Sequence, residues 1–232
     1  MNEKIKNLKY SKLDISKLAD YDRIKNGLKS INLNKINKIL DLGSGAGQVL
    51  YALNKINYSG YYLGVDNDKS MITKSEQYYS KYNYKNYKFQ KTDIKNFKSK
   101  DKFDLILIWG VISFFDNYKY FLDKLDKYLN KNGIISIFSG FSENDYSIYV
   151  KYKKKNEKLQ SGLTMHSLNE IEEYFKKKNY KISKEKFMPS TNLKKTNNPL
   201  SSFTLYDQDK KKLLANNLNI IRKFYFIIAK KL

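Results

Sequence analysis

Along the chain, short apolar runs alternate with stretches whose apolar residues recur at three- and four-residue steps, and this alternation predicts strand–helix–strand units around a parallel sheet. Runs of the first kind are Lys38 to Leu42, Tyr61 to Val65, Tyr87 to Phe89, Phe103 to Trp109 and Ile134 to Phe138. Between the last two, Tyr118, Phe121, Leu122, Leu125 and Leu129 fall on one face of a predicted helix, which Asn132-Gly133 would end. Ser167-Leu168-Asn169-Glu170 has the pattern of a capping box, in which a serine oxygen and a glutamate satisfy free amides at a helix start, so a helix is expected from about Leu168 to Lys178. Strands at Tyr180 to Phe187 and Phe224 to Ala229 would complete the sheet, and Ser202 to Tyr206 is expected to pair with Lys211 to Ala215 as a hairpin. Near the amino terminus, Ile15, Leu18, Tyr21, Ile24 and Leu28 line one side of an amphipathic helix expected to cover a ligand or a sheet edge.

A length of 232 residues accommodates one sizeable core. The expected organisation is a single α/β domain: a helical cap over 1–37, a core over 38–187, an insert over 188–218 that shapes an acceptor site, and a last strand over 219–232. There is no cysteine, and Met1-Asn2-Glu3-Lys4-Ile5-Lys6 lacks the apolar stretch of a secretory signal, so the expected compartment is the cytoplasm. The longest apolar run, Leu105 to Phe115, falls short of the roughly 18–20 residues that span a bilayer. A net charge of +22 would ordinarily point to nucleic acid. The lysines are scattered, however, with only short knots at Lys153-Lys154-Lys155, Lys176-Lys177-Lys178 and Lys210-Lys211-Lys212, and these read as solvated surface.

The segment Ile39-Leu40-Asp41-Leu42-Gly43-Ser44-Gly45-Ala46-Gly47-Gln48 changes the picture most: an apolar strand runs into three glycines at alternate positions and then a helix. Glycine is needed where a backbone takes unusual dihedrals or where a ligand lies directly against the main chain. The loop lacks the Gly-Lys-Ser/Thr ending of a Walker loop, and Gln48 stands where a dinucleotide fingerprint has its third glycine.

This D-x-G-x-G-x-G pattern resembles motif I of the class I S-adenosylmethionine-dependent methyltransferases, and further pieces follow in that family's order. Gly64-Val65-Asp66 places a carboxylate 25 residues after Asp41, at the end of the second strand. Thr92-Asp93-Ile94 follows the third strand, Phe103 to Gly110 resembles the fourth, and Asn132-Gly133-Ile134-Ile135 matches a turn into the fifth. The resemblance implies a Rossmann-like fold with a central seven-stranded, mostly parallel sheet, an antiparallel last strand and helices on both faces. It implies S-adenosylmethionine as cofactor and S-adenosylhomocysteine as product. Asp41 and the backbone of Gly43, Ser44, Gly45 and Gly47 would hold the methionine end, Asp66 the ribose, and Thr92, Asp93 and Ile94 the adenine. Asn67, Met71, Trp109 and Gly110 would complete the cofactor surface. No metal is expected.

The aromatic stretch after the fourth strand and Phe138 to Phe141 read as a small acceptor pocket, formed by Trp109, Phe114, Phe115, Phe138, Phe141 and His166. The candidate bases are His166, the chain's one histidine, and Asp116. Without cysteine, pyrimidine-carbon methylation of the usual kind is disfavoured. Trp109-Gly110-Val111-Ile112 stands where exocyclic-amine methyltransferases show Asn/Asp-Pro-Pro-aromatic, which disfavours them too. The expected activity is O- or N-methylation of a small molecule, such as a sugar or sugar nucleotide. The alternatives are an RNA methyltransferase and a non-catalytic module that binds the donor.

Overall fold

The computed structural model describes residues 21–81 and 85–232, so Ile15 and Leu18 of the expected amino-terminal helix lie outside the described residues. The strands are β1 (Lys38–Leu42), β2 (Tyr61–Asp66), β3 (Tyr87–Lys91), β4 (Phe103–Trp109), β5 (Leu129–Phe141), β6 (Ile148–Tyr152), β7 (Gln160–Met165), β8 (Tyr180–Phe187), β9 (Phe203–Tyr206), β10 (Lys212–Ala215) and β11 (Lys223–Lys231). The helices are α1 (Tyr21–Lys29), α2 (Gln48–Lys55), α3 (Lys69–Tyr79), α4 (Tyr118–Asp126) and α5 (Leu168–Lys177). Seven strands form one sheet in the order β3-β2-β1-β4-β5-β11-β8, and the hairpins β6–β7 and β9–β10 stand apart from it. No helix among the described residues is long and apolar enough to cross a membrane. The chain divides into two compact units, Met1–Ile108 with Lys124–Ile135 and Trp109–Asp123 with Ser136–Leu232.

In the first unit β1 pairs in parallel with β2 and β4, and β2 with β3. Burial on both faces explains why β1, β2 and β4 read as nearly unbroken apolar runs. The register sets Asp41 opposite Gly64 and Asp66 opposite Lys91. Asp104 ties the entrance of this sheet together by accepting from the amides of Asn37 and Lys38, at 2.8 and 3.0 Å, and from Asn130 Nδ2 at 2.7 Å. Of the expected amphipathic face, Ile24 and Leu28 are buried on α1, whereas Tyr21 is exposed.

In the second unit β8 and β11 pair antiparallel from Phe224↔Phe187 to Lys231↔Tyr180, the reversed last strand that the resemblance implied. Glu143 pins this end of the sheet: it accepts from Lys186 at 2.9 Å and also from Lys223 and Tyr225. The hairpin expected in the insert is present as β9–β10, paired from Phe203↔Ala215 to Tyr206↔Lys212. Its turn end is tied down by Lys212, whose ammonium donates to the carbonyls of Pro189, Ser190 and Thr191 at 2.7, 3.4 and 3.0 Å. The β6–β7 hairpin was not expected from the sequence.

Two local expectations are corrected. The helix over Tyr118 ends at Asp126, and the chain is already in β5 at Leu129, so Asn132-Gly133 lies within a strand. Asn132 supplies a left-handed φ of 61° there, an asparagine property as useful in a kinked strand as at a helix end. At α5 the Ser167 hydroxyl caps Glu170 N at 3.3 Å as expected, but the reciprocal arm is indirect. Ser167 N donates to Ser147 Oγ at 2.9 Å, and that hydroxyl donates to Glu170 Oε2 at 3.3 Å.

Candidate cofactor site

The bend leaving β1 is shaped by left-handed backbone at Gly43, Gly45 and Gly47, with φ of 81°, 54° and 83°. Gly47 is also sterically fixed, since a Cβ there would lie 2.8 Å from both Phe89 Cζ and Tyr79 Cε2. Hydrogen bonds hold the bend from beneath: Gly43 N and Ser44 N donate to Val65 O at 2.8 and 3.1 Å, and Tyr79 Oη donates to Gly47 O at 2.6 Å. Exposure alternates along it, with Gly43 and Gly45 half-open and Ser44 and Ala46 buried. The result is a main-chain rim on which one side chain stands close, Gln48, whose Oε1 lies 3.1 Å from where a Cβ of Gly45 would be. Ser44 Oγ is buried beneath this rim, turned toward Gly64 of β2, without a hydrogen-bond partner.

Asp66, at the end of β2, accepts from Gly45 N at 2.9 Å through Oδ2 and from Asp68 N at 2.9 Å through Oδ1. A carboxylate has about four lone-pair positions, so these two bonds orient it and leave two for hydroxyl donors. Asp41 is 3 % exposed and accepts from Tyr62 Oη at 2.6 Å. Burial pushes its carboxyl up to about 7; the Tyr62 hydrogen bond and Arg23 oppose that rise and the Asp66 charge adds to it. Asp93 is exposed and caps its own turn by accepting from Lys95 N at 2.9 Å, beside half-buried Thr92 and Ile94. Thr92 N donates to Asp66 O at 2.8 Å, which ties the third-strand motif to the second. Met71 is half-buried and Asn67 exposed. Thus the first unit brings together the glycine bend, Asp41 and Asp66, and these features fit a nucleoside with an amino-acid tail. Tyr62, Ser75 and Tyr79, which hold the acidic and glycine residues in place, carried no signal in the sequence.

The second unit treats the expected pocket residues differently. Trp109 is buried, donates from Nε1 to Ser136 Oγ at 3.0 Å and meets Phe226 edge-on at 5.5 Å. Phe138 packs on Phe187, Phe224 and Phe226, Phe115 stacks on Phe121 at 3.9 Å, and Phe141 is 2 % exposed. Burying one such ring is worth about 2 kcal/mol, which a ligand would have to offset in order to open the cluster. These aromatics therefore form core here instead of lining a cavity; of the set, Phe114 alone is exposed. Gly110 is exposed, with a φ of 77° and no atom within 4 Å of where a Cβ would stand.

His166 is 1 % exposed, with Nε2 3.3 Å from Ile112 O and Tyr118 edge-on at 4.8 Å. Burial holds its imidazole below the ordinary range, so it is a neutral core residue at pH 7. Asp116 is exposed and accepts from Thr164 Oγ1 at 3.1 Å. Asp116 lines a hollow of about 70 Å³ with Ser113, Phe114 and Thr164, well below the roughly 300 Å³ at which small-molecule sites begin, and His166 is not part of its lining.

Parallel strands that end in a glycine bend, with an oriented carboxylate on the next strand, define a nucleoside-binding α/β protein of the class I methyltransferase fold. A family described as methyltransferase domain matches residues 33–195, and the chain belongs to that methyltransferase family. Among curated proteins, it is 26 % identical over 121 residues to malonyl-[acyl-carrier protein] O-methyltransferase of Bacillus cereus, covering 52 % of this chain and 44 % of that one. It is 30 % identical over 115 residues to tRNA (guanine-N(7)-)-methyltransferase of Mycoplasma mobile, covering 44 % of this chain and 56 % of that one. The chain spans between 30 % and 56 % of the length of the curated relatives it matches. Among solved structures, the YcgJ protein of Bacillus subtilis shares the fold with a TM-score of 0.63 at 15 % identity, covering 91 % of this chain and 98 % of that one.

Proposed function

We propose that this chain transfers the methyl group of S-adenosylmethionine to an oxygen or nitrogen of a small molecule, with a sugar or sugar nucleotide as the acceptor class. The observation that carries the donor half is the Asp66 carboxylate, oriented by Gly45 N and Asp68 N with lone pairs left for both ribose hydroxyls. Asp41 and the glycine bend take the amino-acid tail, and Asp93 with Ile94 reads the adenine edge against Met71. When bound, the donor supplies an electrophilic methyl on a sulfonium whose thioether leaves without protonation. The protein's task is then to position the acceptor and exclude water. Of the two candidate bases we favour Asp116, which is exposed where His166 is buried and neutral.

An RNA acceptor is the second reading. It draws on the charge of +22 and on the similarity to a tRNA methyltransferase. The lysine knots at 153–155 and 176–178 are exposed, but Lys154 and Lys178 are engaged with Glu157 and Asp123. Incubation with labelled donor and panels of sugars, sugar nucleotides, amines and RNA discriminates the readings. Label on a small molecule supports the first, and label on RNA with affinity falling steeply with salt replaces it. Donor binding without turnover on any panel would instead support a non-catalytic module.

A further inference from the structure

The segment Lys98-Ser99-Lys100-Asp101-Lys102 carries three lysines in five residues and leads into β4. Its ends are anchored. Phe97 is 1 % exposed and meets the Tyr128 ring edge-on at 5.4 Å, Tyr128 Oη donates to Phe97 O at 3.3 Å, and Phe103 N donates to Tyr128 O at 2.8 Å. Within the segment Asp101 N donates to Ser99 Oγ at 2.9 Å, and Lys38, at the start of β1, pairs with the Asp101 carboxylate at 3.0 Å. The backbone is thus held from β1, β4 and the exit of α4 while the lysine stems stay in water. Between this segment and the end of α4 lies a hollow of about 380 Å³, lined by Lys98, Lys100, Lys102, Lys124 and Lys127. Its volume falls in the range of small-molecule sites, which begins near roughly 300 Å³.

Asp101 is the one acid of this lining among the described residues, and Lys38 already answers its charge. Lys124 donates to Lys95 O and Lys127 stands 5.3 Å from the centre of the Tyr128 ring, and both suit the negative end of the α4 dipole. That reason does not extend to Lys98, Lys100 and Lys102, which lie on no helix, are exposed and form no ion pair with any described residue. Charges of one sign around a concave surface focus their field, so the hollow attracts anions more strongly than lysines scattered over a convex face. Ammonium groups on flexible stems act as point charges without the fork of arginine, and the ligand that suits several of them at once packs many negative charges into a short span, as a chain of phosphates does. A hollow of this size fits a compact solute, whereas an RNA backbone calls for a groove that tracks it. The hollow lies at the amino ends of β1 and β4, and the glycine bend leaves the carboxyl end of β1, so a five-residue strand, roughly 17 Å long, separates the two.

We infer that this hollow binds the phosphate chain of a small molecule, a nucleoside di- or triphosphate or a free inorganic polyphosphate, at a site separate from the donor bend. The inference does not depend on methyl transfer. Calorimetry with the full chain at fixed ionic strength measures binding of tripolyphosphate, adenosine triphosphate, inorganic phosphate and a single-stranded RNA oligomer. Tripolyphosphate should bind once per chain and at least tenfold more tightly than inorganic phosphate. Equal affinity for the nucleotide would mark the phosphate chain alone as the group recognised, and tighter binding of the nucleotide would add a contact to its base or sugar. Lys98→Gln, Lys100→Gln and Lys102→Gln combined should weaken tripolyphosphate binding at least tenfold, and arginine at the same three positions should preserve it. Lys153→Gln, Lys154→Gln and Lys155→Gln combined, which remove the same charge elsewhere, should leave it unchanged, with each variant checked for the wild-type unfolding transition. The site is overturned if tripolyphosphate binds no better than phosphate, if both glutamine variants lose affinity equally, if RNA alone binds at these lysines, or if saturating S-adenosylhomocysteine displaces the tripolyphosphate.

Discussion

Replacing Asp41 by asparagine should make the protein more stable and worse at holding its donor. Asp41 is 3 % exposed, and burial raises its carboxyl from 3.8 to about 7. At 1.36 kcal/mol per pH unit, that displacement sets the cost of keeping the group ionised in the fold at about 2–4 kcal/mol, with the upper end a ceiling. Because the folded state binds this proton more tightly than the unfolded state, the contribution is fully present below about pH 4. It is lost as pH rises to about 7 and is constant beyond. The amide that Asp41→Asn introduces can still accept from the Tyr62 hydroxyl but carries no charge. Urea unfolding at pH 8 should therefore find the variant about 2–4 kcal/mol more stable, and the difference should vanish near pH 4. Calorimetry at pH 8 should find donor binding at least tenfold weaker, since the carboxylate is assigned to the ammonium of the amino-acid tail. Stability gained as affinity is lost is the signature of a group retained for binding. Equal stability at pH 8, or a wild type more stable than the variant, would refute the burial argument; unchanged affinity would refute the assignment.

Gly47→Ala imposes a Cβ on a φ of 83° and within 2.8 Å of two aromatic carbons, so a loss of about 1–3 kcal/mol is expected in urea unfolding. An unchanged midpoint would contradict the packing described. His166 is held neutral by burial, so its contribution is present above its ordinary pKa of 6.5 and is lost as pH falls through its lowered folded value. His166→Gln should flatten the acid limb of the stability profile below pH 6.5, and an identical slope would count against it. Trp109→Phe removes the donor to Ser136, whose residue is fully buried, at a cost of about 1–3 kcal/mol by the same denaturation assay; a neutral result would mean that Trp109 is not anchored there.

Sequence reading found β1, β4 and β8 to the residue because each has a strong apolar run or clear flanking signals. It missed β6 and β7, whose residues alternate between half-buried and exposed in β6 and are interrupted by a register irregularity at Val150/Lys151. The glycine bend was legible because a backbone with positive φ leaves its mark as a letter. The tyrosines that hold it were not, since Tyr62 reaches Asp41 and Tyr79 reaches Gly47 only once strands and helix are in register. The aromatic pocket shows the limit most plainly. A run such as Trp109 to Phe115 looks the same whether it lines a ligand or packs against Phe121 and Phe226, and the latter partner stands in a strand near the chain's far end.

Titration of S-adenosylhomocysteine into wild type and into the Asp66→Ala and Asp66→Asn variants, each checked for an intact unfolding transition, probes the donor site at its anchor. Affinity should fall at least tenfold in Asp66→Ala, which loses both the ribose contact and the tie to Gly45, and less in Asp66→Asn, which keeps one acceptor. Three indistinguishable affinities would mean that the nucleoside is gripped elsewhere and that the carboxylate at the end of β2 serves only the turn.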